Sequence, residues 1–111
     1  MNQLGQKSEN EIAKQLEGLH WSILARSQKI AGIECDIIAS DPMGKIWILE
    51  VKYRRHASMW GGAIISKTQF QRQLRALQAL RRRFPHSEVN WALIWRKKSG
   101  GVEFVANPCY F

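Results

Sequence analysis

A chain of 111 residues with five tryptophans and 45% apolar side chains is long enough to bury a real core, so disorder is excluded except at the ends and one domain over residues 1–111 is expected. Cys35 and Cys109 stand far apart in no CxxC or Cys/His spacing, which argues against a disulfide framework and a zinc site. Seventeen Lys and Arg against nine Asp and Glu leave a net charge of +8, and so large an imbalance in a short chain favours a polyanionic partner such as nucleic acid.

The opening MNQLGQKSEN has no apolar signal region, and no run approaches the length of a membrane span, so a cytoplasmic protein without a membrane partner is expected. Residues 5–18 read as a helix, with Ile12, Ala13, Leu16 and Leu19 on one side and Gly18 suited to the stop. HWSILARS follows as a first strand and, after a break at Gly32, IECDIIAS as a second. DPMG then has Pro at the second turn position and Gly at the fourth, a type I signature that predicts an antiparallel hairpin into IWILEVKYRR.

HASMWGGAI reads as a loop, with Gly61 and Gly62 as hinges and Trp60 either buried or free to stack. SKTQ opens a second helix as a capping box, Ser66 capping the backbone and Gln69 reaching back. Phe70, Leu74, Leu77, Leu80 and Phe84 stripe one face of that helix as far as Pro85. EVNWALIWRKK is apolar on both faces and reads as an interior strand, which SGG turns into VEFVAN. The order αβββαββ predicts an α/β fold, a mixed sheet of about five strands with helices packed against it.

Alternation assigns Glu50 and Lys52 to the side of Ile46 and Ile48, with Trp47, Leu49, Val51 and Tyr53 on the other. On the neighbouring strand Glu34, Asp36 and Ile38 share a face, and the hairpin register brings Asp36 near Glu50. Two carboxylates on a half-buried sheet repel unless one takes a proton or a cation intervenes, and oxygen ligands suit Mg²⁺ or Mn²⁺. At about 100° per residue, Glu9 falls on the apolar side of the first helix and Glu11 nearly opposite. Glu9 is therefore a third acid facing the sheet, although first-turn acids also suit the helix dipole.

These residues resemble the PD-(D/E)XK nuclease superfamily, whose core is a helix, a three-strand meander, a second helix and a further strand. GQKSENEIAKQLEG, IECDIIA, ILEVKYRR, MWGGA and SKTQ are similar to the bacterial YraN-like family of small endonuclease-like proteins, and the likeness extends to archaeal Holliday junction resolvases. It implies a restriction-endonuclease-like fold and puts Asp36 and Glu50 at the strand acids, Lys52 at the motif lysine and Glu9 at the helical acid. Cys35 stands where the motif has proline, and it is expected in the core without chemistry.

The implied activity is a Mg²⁺- or Mn²⁺-dependent DNA endonuclease, with branched or junction DNA among the substrates left open. Asp36 and Glu50 are expected to ligate the ion, with the Val51 carbonyl as a further donor and Glu9 acting through water or a second ion. Lys52 is expected to orient the attacking water or stabilise developing charge, and Gln69 either to assist or to serve only as a cap. DNA contact is assigned to Arg54, Arg55 and Lys67 beside the acids and to Arg72, Arg75, Arg82 and Arg83 along the second helix. His20, His56 and His86 show no ligand spacing. By analogy with branched-DNA cutters a homodimer fits. The alternative function is a non-catalytic nucleic-acid-binding module that keeps the nuclease fold.

Overall fold

Strands rich in Ile, Val, Leu and Trp must be covered on both faces, and two amphipathic helices do the covering. The computed structural model describes residues 3–52, 66–97 and 99–108, with side chains from residue 7 onward. The order is α1 (Gln3–Gly18), β1 (Ser22–Ile30), β2 (Ile33–Ser40), β3 (Ile46–Lys52), α2 (Lys67–Arg83), β4 (Val89–Arg96) and β5 (Val102–Ala106). The expected loop over residues 56–64, with Trp60, Gly61 and Gly62, lies outside the described residues, as do Tyr53, Arg54, Arg55, His56 and Cys109.

The five strands form one mixed sheet in the order β1-β2-β3-β4-β5. β1 to β3 are an antiparallel meander, β3 and β4 run parallel, and β5 returns antiparallel. A parallel pair needs a long crossover, and the segment containing α2 supplies it. On the α2 face, Ala76, Leu77 and Leu80 pack with Ile38, Ile46, Ile48, Trp91, Leu93 and Trp95. On the opposite face Ile12, Ala13 and Leu16 of α1 meet Ile37, Ala39, Trp47, Leu49, Ala92 and Ile94. β4 is thus buried on both sides, as its unbroken apolar run requires.

Local chemistry sets the boundaries. α1 ends at Gly18 as expected, but Gly18 does not take the left-handed position. The left-handed residue is His20 (φ 71°). Its amide bonds to the Glu17 carbonyl at 3.0 Å and the Trp21 amide to that of Leu16 at 3.0 Å, the paired closure of a Schellman motif. β1 begins two residues later than expected and runs three further, into a two-residue turn in which Ala31 (φ 53°) and Gly32 (φ 78°) both have positive φ. That turn geometry matches the twist of the hairpin it closes. The expected Ser66 cap is present, its hydroxyl accepting the Gln69 N–H at 3.0 Å.

At the far end of the β2–β3 hairpin, Asp41 organises the turn. Its Oδ1 accepts from the Met43 and Lys45 amides at 2.9 and 3.0 Å, and its Oδ2 accepts from the Trp47 indole N–H at 2.9 Å. Desolvation opposes ionisation of Asp41, but the bonds from Trp47, Lys45 and Met43 prevail and hold its carboxyl below the usual range. Among the described residues no helix is long and apolar enough to cross a membrane. Replacing Asp41 with Ala strands the indole N–H and two turn amides, so Asp41→Ala should cost about 1–3 kcal/mol in chemical denaturation, with Asp41→Asn losing less.

Candidate functional site

β2 and β3 do not stay paired along their whole length. Their described rungs run from Ser40↔Ile46 to Ile37↔Leu49. Beyond that point β2 stays on β1 as far as Ile30↔Ile33, while β3 stays on β4 as far as Lys52↔Trp95. The next inward amide, that of Val51, donates instead to Asp36 Oδ2 at 2.9 Å. A carboxylate has taken the place of a strand carbonyl, and the sheet forks at the acids.

The fork carries a slip in side-chain alternation. Ile33 and Cys35 pack on the α2 face with Ile38, whereas Ile37 packs on the α1 face. The expectation that Glu34, Asp36 and Ile38 share one face is therefore corrected: the period of two breaks at Asp36. On β1 the residue between the rungs Arg26↔Ile37 and Gln28↔Cys35 is Ser27, whose φ is 51°. The paired distortion turns Arg26 toward α1.

Glu9 is 4% exposed, and its Oε1 accepts from Arg26 Nε at 3.3 Å and Nη2 at 3.1 Å. Arg26 Nη2 also donates to Asn10 Oδ1. Two residues on, Glu11 does not point away from the sheet as the wheel suggests, but forms an ion pair with Arg96 of β4. Arginines on strands flanking β2 and β3 thus clamp the N-terminal half of α1 over the fork.

Glu50 is held from the other face. Its Oε2 accepts from Gln69 Nε2 at 2.7 Å and from Gln73 Nε2 at 3.4 Å, while Oε1 stands 3.7 Å from Lys52 Nζ. The Gln69 Nε2 is thus given to Glu50, while its backbone N–H is capped by Ser66. A pocket of about 230 Å³ opens against Glu50, lined by Glu34, Ser66, Thr68, Gln69, Arg72 and Gln73. Lys67, Arg72, Arg75, Arg82 and Arg83 are exposed on α2. Arg81 is tied down, donating to the Val89 carbonyl through Nε at 3.1 Å and Nη2 at 3.0 Å.

Burial pushes the Asp36 carboxyl up from 3.8 to about 6 against the lowering effect of the Val51 N–H, and the charges of Glu50, Glu9 and Glu34 add to the rise. Burial, helped by Asp36, Glu50 and Glu34, raises the Cys35 thiol to about 11. Cys35 is 1% exposed and keeps its proton, in line with a core role. Arg26 and Gln73 are the site residues that pattern reading misses. Gln73 carries a faint signal, four residues after Gln69 on one helix face, whereas the facing of Arg26 depends on the slip at Ser27.

Two measurements check this geometry. An acid whose folded value is raised favours the fold below its unfolded value and loses that contribution as pH climbs through the folded one. Asp36→Asn should therefore leave stability unchanged near pH 3 and raise it above pH 7 by roughly 1–2 kcal/mol, allowing for partial exposure. Arg26→Ala abandons a buried carboxylate and should cost about 1–3 kcal/mol, part of which Glu9→Gln in the same chain restores, as a double-mutant denaturation cycle reads directly.

The comparisons agree with this architecture. The EndoMS–dsDNA2 complex contains a chain that superimposes with a TM-score of 0.55 over 84% of this chain and 36% of that one, at 18% identity, a likeness of fold alone. The α/β fold, a five-stranded mixed sheet between two helices, is accordingly shared with that chain. A UPF0102 protein of Desulforamulus reducens is 41% identical over 51 residues, which make up 46% of this chain and 42% of the relative's length. The shared sequence pattern of "Uncharacterised protein family UPF0102" matches residues 8–106, a span that takes in Glu9, Asp36, Glu50 and Lys52, and the chain belongs to that family.

Proposed function

We propose that the chain is a metal-dependent endonuclease that hydrolyses DNA phosphodiester bonds, acting on branched or junction DNA. One observation carries the reading: three carboxylates from three elements flank the fork closely enough for the charges of Glu50 and Glu9 to raise the Asp36 carboxyl, and each has one oxygen anchored by a hydrogen-bond donor. Arg26 holds Glu9 Oε1, Val51 holds Asp36 Oδ2, and the glutamines hold Glu50 Oε2. Glu9 Oε2 and Asp36 Oδ1 have no bond among the described residues, and Glu50 Oε1 stands beside Lys52.

The donor set fits a hard divalent cation. Asp36 is held up at about 6 chiefly by burial, and the charges of Glu50, Glu9 and Glu34 add to the rise, which a cation would relieve. Asp36 and Glu50 would hold Mg²⁺ or Mn²⁺ directly with the Val51 carbonyl, and Glu9 would reach it through water. Among the described residues no three His, Cys, Asp or Glu side chains form a group able to hold an ion, and two carboxylates plus retained waters is a habit of Mg²⁺. When bound, such an ion lowers the pKa of its water and polarises the phosphoryl oxygen.

The chain's own residues would do the rest. Lys52, tethered by Glu50, offers an ammonium to the negative charge that develops on the phosphoryl oxygens and a donor to orient the attacking water. Lys67, Arg72 and Arg75 are exposed on α2, with Arg72 lining the pocket against Glu50, and they would bind flanking phosphates without reading bases. Arg54 and Arg55, next along the chain after Lys52, are proposed for the same task. The net charge of +8 and the dsDNA in the EndoMS complex support DNA as the polyanion.

The lack of a three-ligand group among the described residues favours a second reading, a binding module without turnover. Incubation with junction, flap, single-stranded and duplex DNA in Mg²⁺ or Mn²⁺ separates the two. Cleavage of a branched form is expected, abolished by Glu50→Ala and slowed by about 10²-fold or more in Lys52→Ala. Cleavage that survives both substitutions overturns the site, and salt-sensitive binding without cleavage supports the module.

A further inference from the structure

Gln73 stands where an apolar residue would serve the fold better. It lies one turn after Phe70, one before Leu77 and two before Leu80 on the covered side of α2, and it is 5% exposed. Its Oε1 is buried and accepts no hydrogen bond among the described residues. Its Nε2 reaches only Glu50 Oε2, at 3.4 Å. The orientation of the amide follows from chemistry, because a carboxylate needs a donor and only the NH₂ end can supply one. A buried acceptor without a partner destabilises a fold. Methionine or leucine in this stripe would remove that penalty.

We infer that Gln73 is a positioning residue for the proposed metal ligand Glu50, kept at the expense of stability. The inference rests on the nuclease reading above. A glutamate side chain has three rotatable bonds, and on the α2 face Glu50 has Lys52 within 3.7 Å. Left alone, both carboxylate oxygens can turn toward that ammonium and close the site. Gln69 at the first turn of α2 and Gln73 at the second fix Oε2 from two points of a rigid helix, so that Oε1 alone faces Lys52, at 3.7 Å.

The chemistry of the anchor matters. An amide orients a carboxylate without neutralising it, so neither glutamine takes up charge that Glu50 would offer a cation. An arginine or lysine in the same place would compete with that cation. Glu9, the acid set farther back under α1, is the one paired with a guanidinium.

The test pairs stability with metal affinity. Gln73→Met fills the same volume without an amide, and Gln73→Asn keeps the amide but shortens its reach by one methylene. Gln73→Met should melt about 4 °C or more above the wild type. Titration calorimetry with MnCl₂ should show its Mn²⁺ dissociation constant raised about tenfold, with Gln73→Asn raised likewise. Affinity equal to the wild type in both variants overturns the inference, as does a fall in melting temperature with Mn²⁺ binding intact, which marks a purely structural residue. A wild type that neither binds Mn²⁺ nor cuts DNA overturns instead the nuclease reading beneath it.

Discussion

Where β2 and β3 part, the Val51 N–H is received by the Asp36 carboxylate 2.9 Å away instead of by a strand carbonyl. A backbone donor at a half-buried strand end needs an acceptor, and an aspartate at that rung provides one while letting the two strands follow different neighbours. The opening in the sheet and the placing of its first acid are thus one event. The slip of alternation that accompanies it leaves Cys35 in the core on one face and Ile37 in the core on the other, so the fork forms without exposing apolar surface.

Three acids around this opening are compensated unequally, and the inequality is chemically useful. Glu9, nearly fully buried, is given a guanidinium, because an unpaired charge at that depth would be too costly. Asp36 receives one neutral amide, which lowers its carboxyl, yet burial holds it near 6. Glu50 receives two neutral amides on one oxygen and an ammonium at a looser 3.7 Å beside the other. Charge is quenched at the back of the site and preserved at the front, where a cation would be drawn.

The sequence made the architecture legible because long-range constraints repeated local ones. The α2 stripe, the Ser66 cap, the DPMG turn and the two-sided apolar run of β4 each had one reasonable interpretation, and together they imply the element order found. The hairpin register followed from the turn, which is why Asp36 could be brought to Glu50. What could not be read was departure from periodicity. His20 rather than Gly18 takes the left-handed position, since any residue can be forced there when the following amides find carbonyls. The slip at Asp36 and Ser27 has no compositional mark, so the facing of Arg26 was hidden, as was the pairing of Glu11 with Arg96.

The two ends of the β2–β3 hairpin then divide the work. At the turn, every oxygen of Asp41 is occupied, two amides and an indole converge on it, and Trp47 carries the restraint to Trp21 and Phe104 through ring contacts at 6.3 and 5.8 Å. At the fork the polar groups are only half satisfied, with carboxylate oxygens unbonded among the described residues and a buried amide oxygen unmatched. An incompletely satisfied cluster is stable only if the surrounding structure over-determines it. The closed turn, the two-sided packing of β4 and the arginine clamps on α1 supply that excess, and they allow the acids to be held in a geometry that their mutual repulsion would otherwise dissolve.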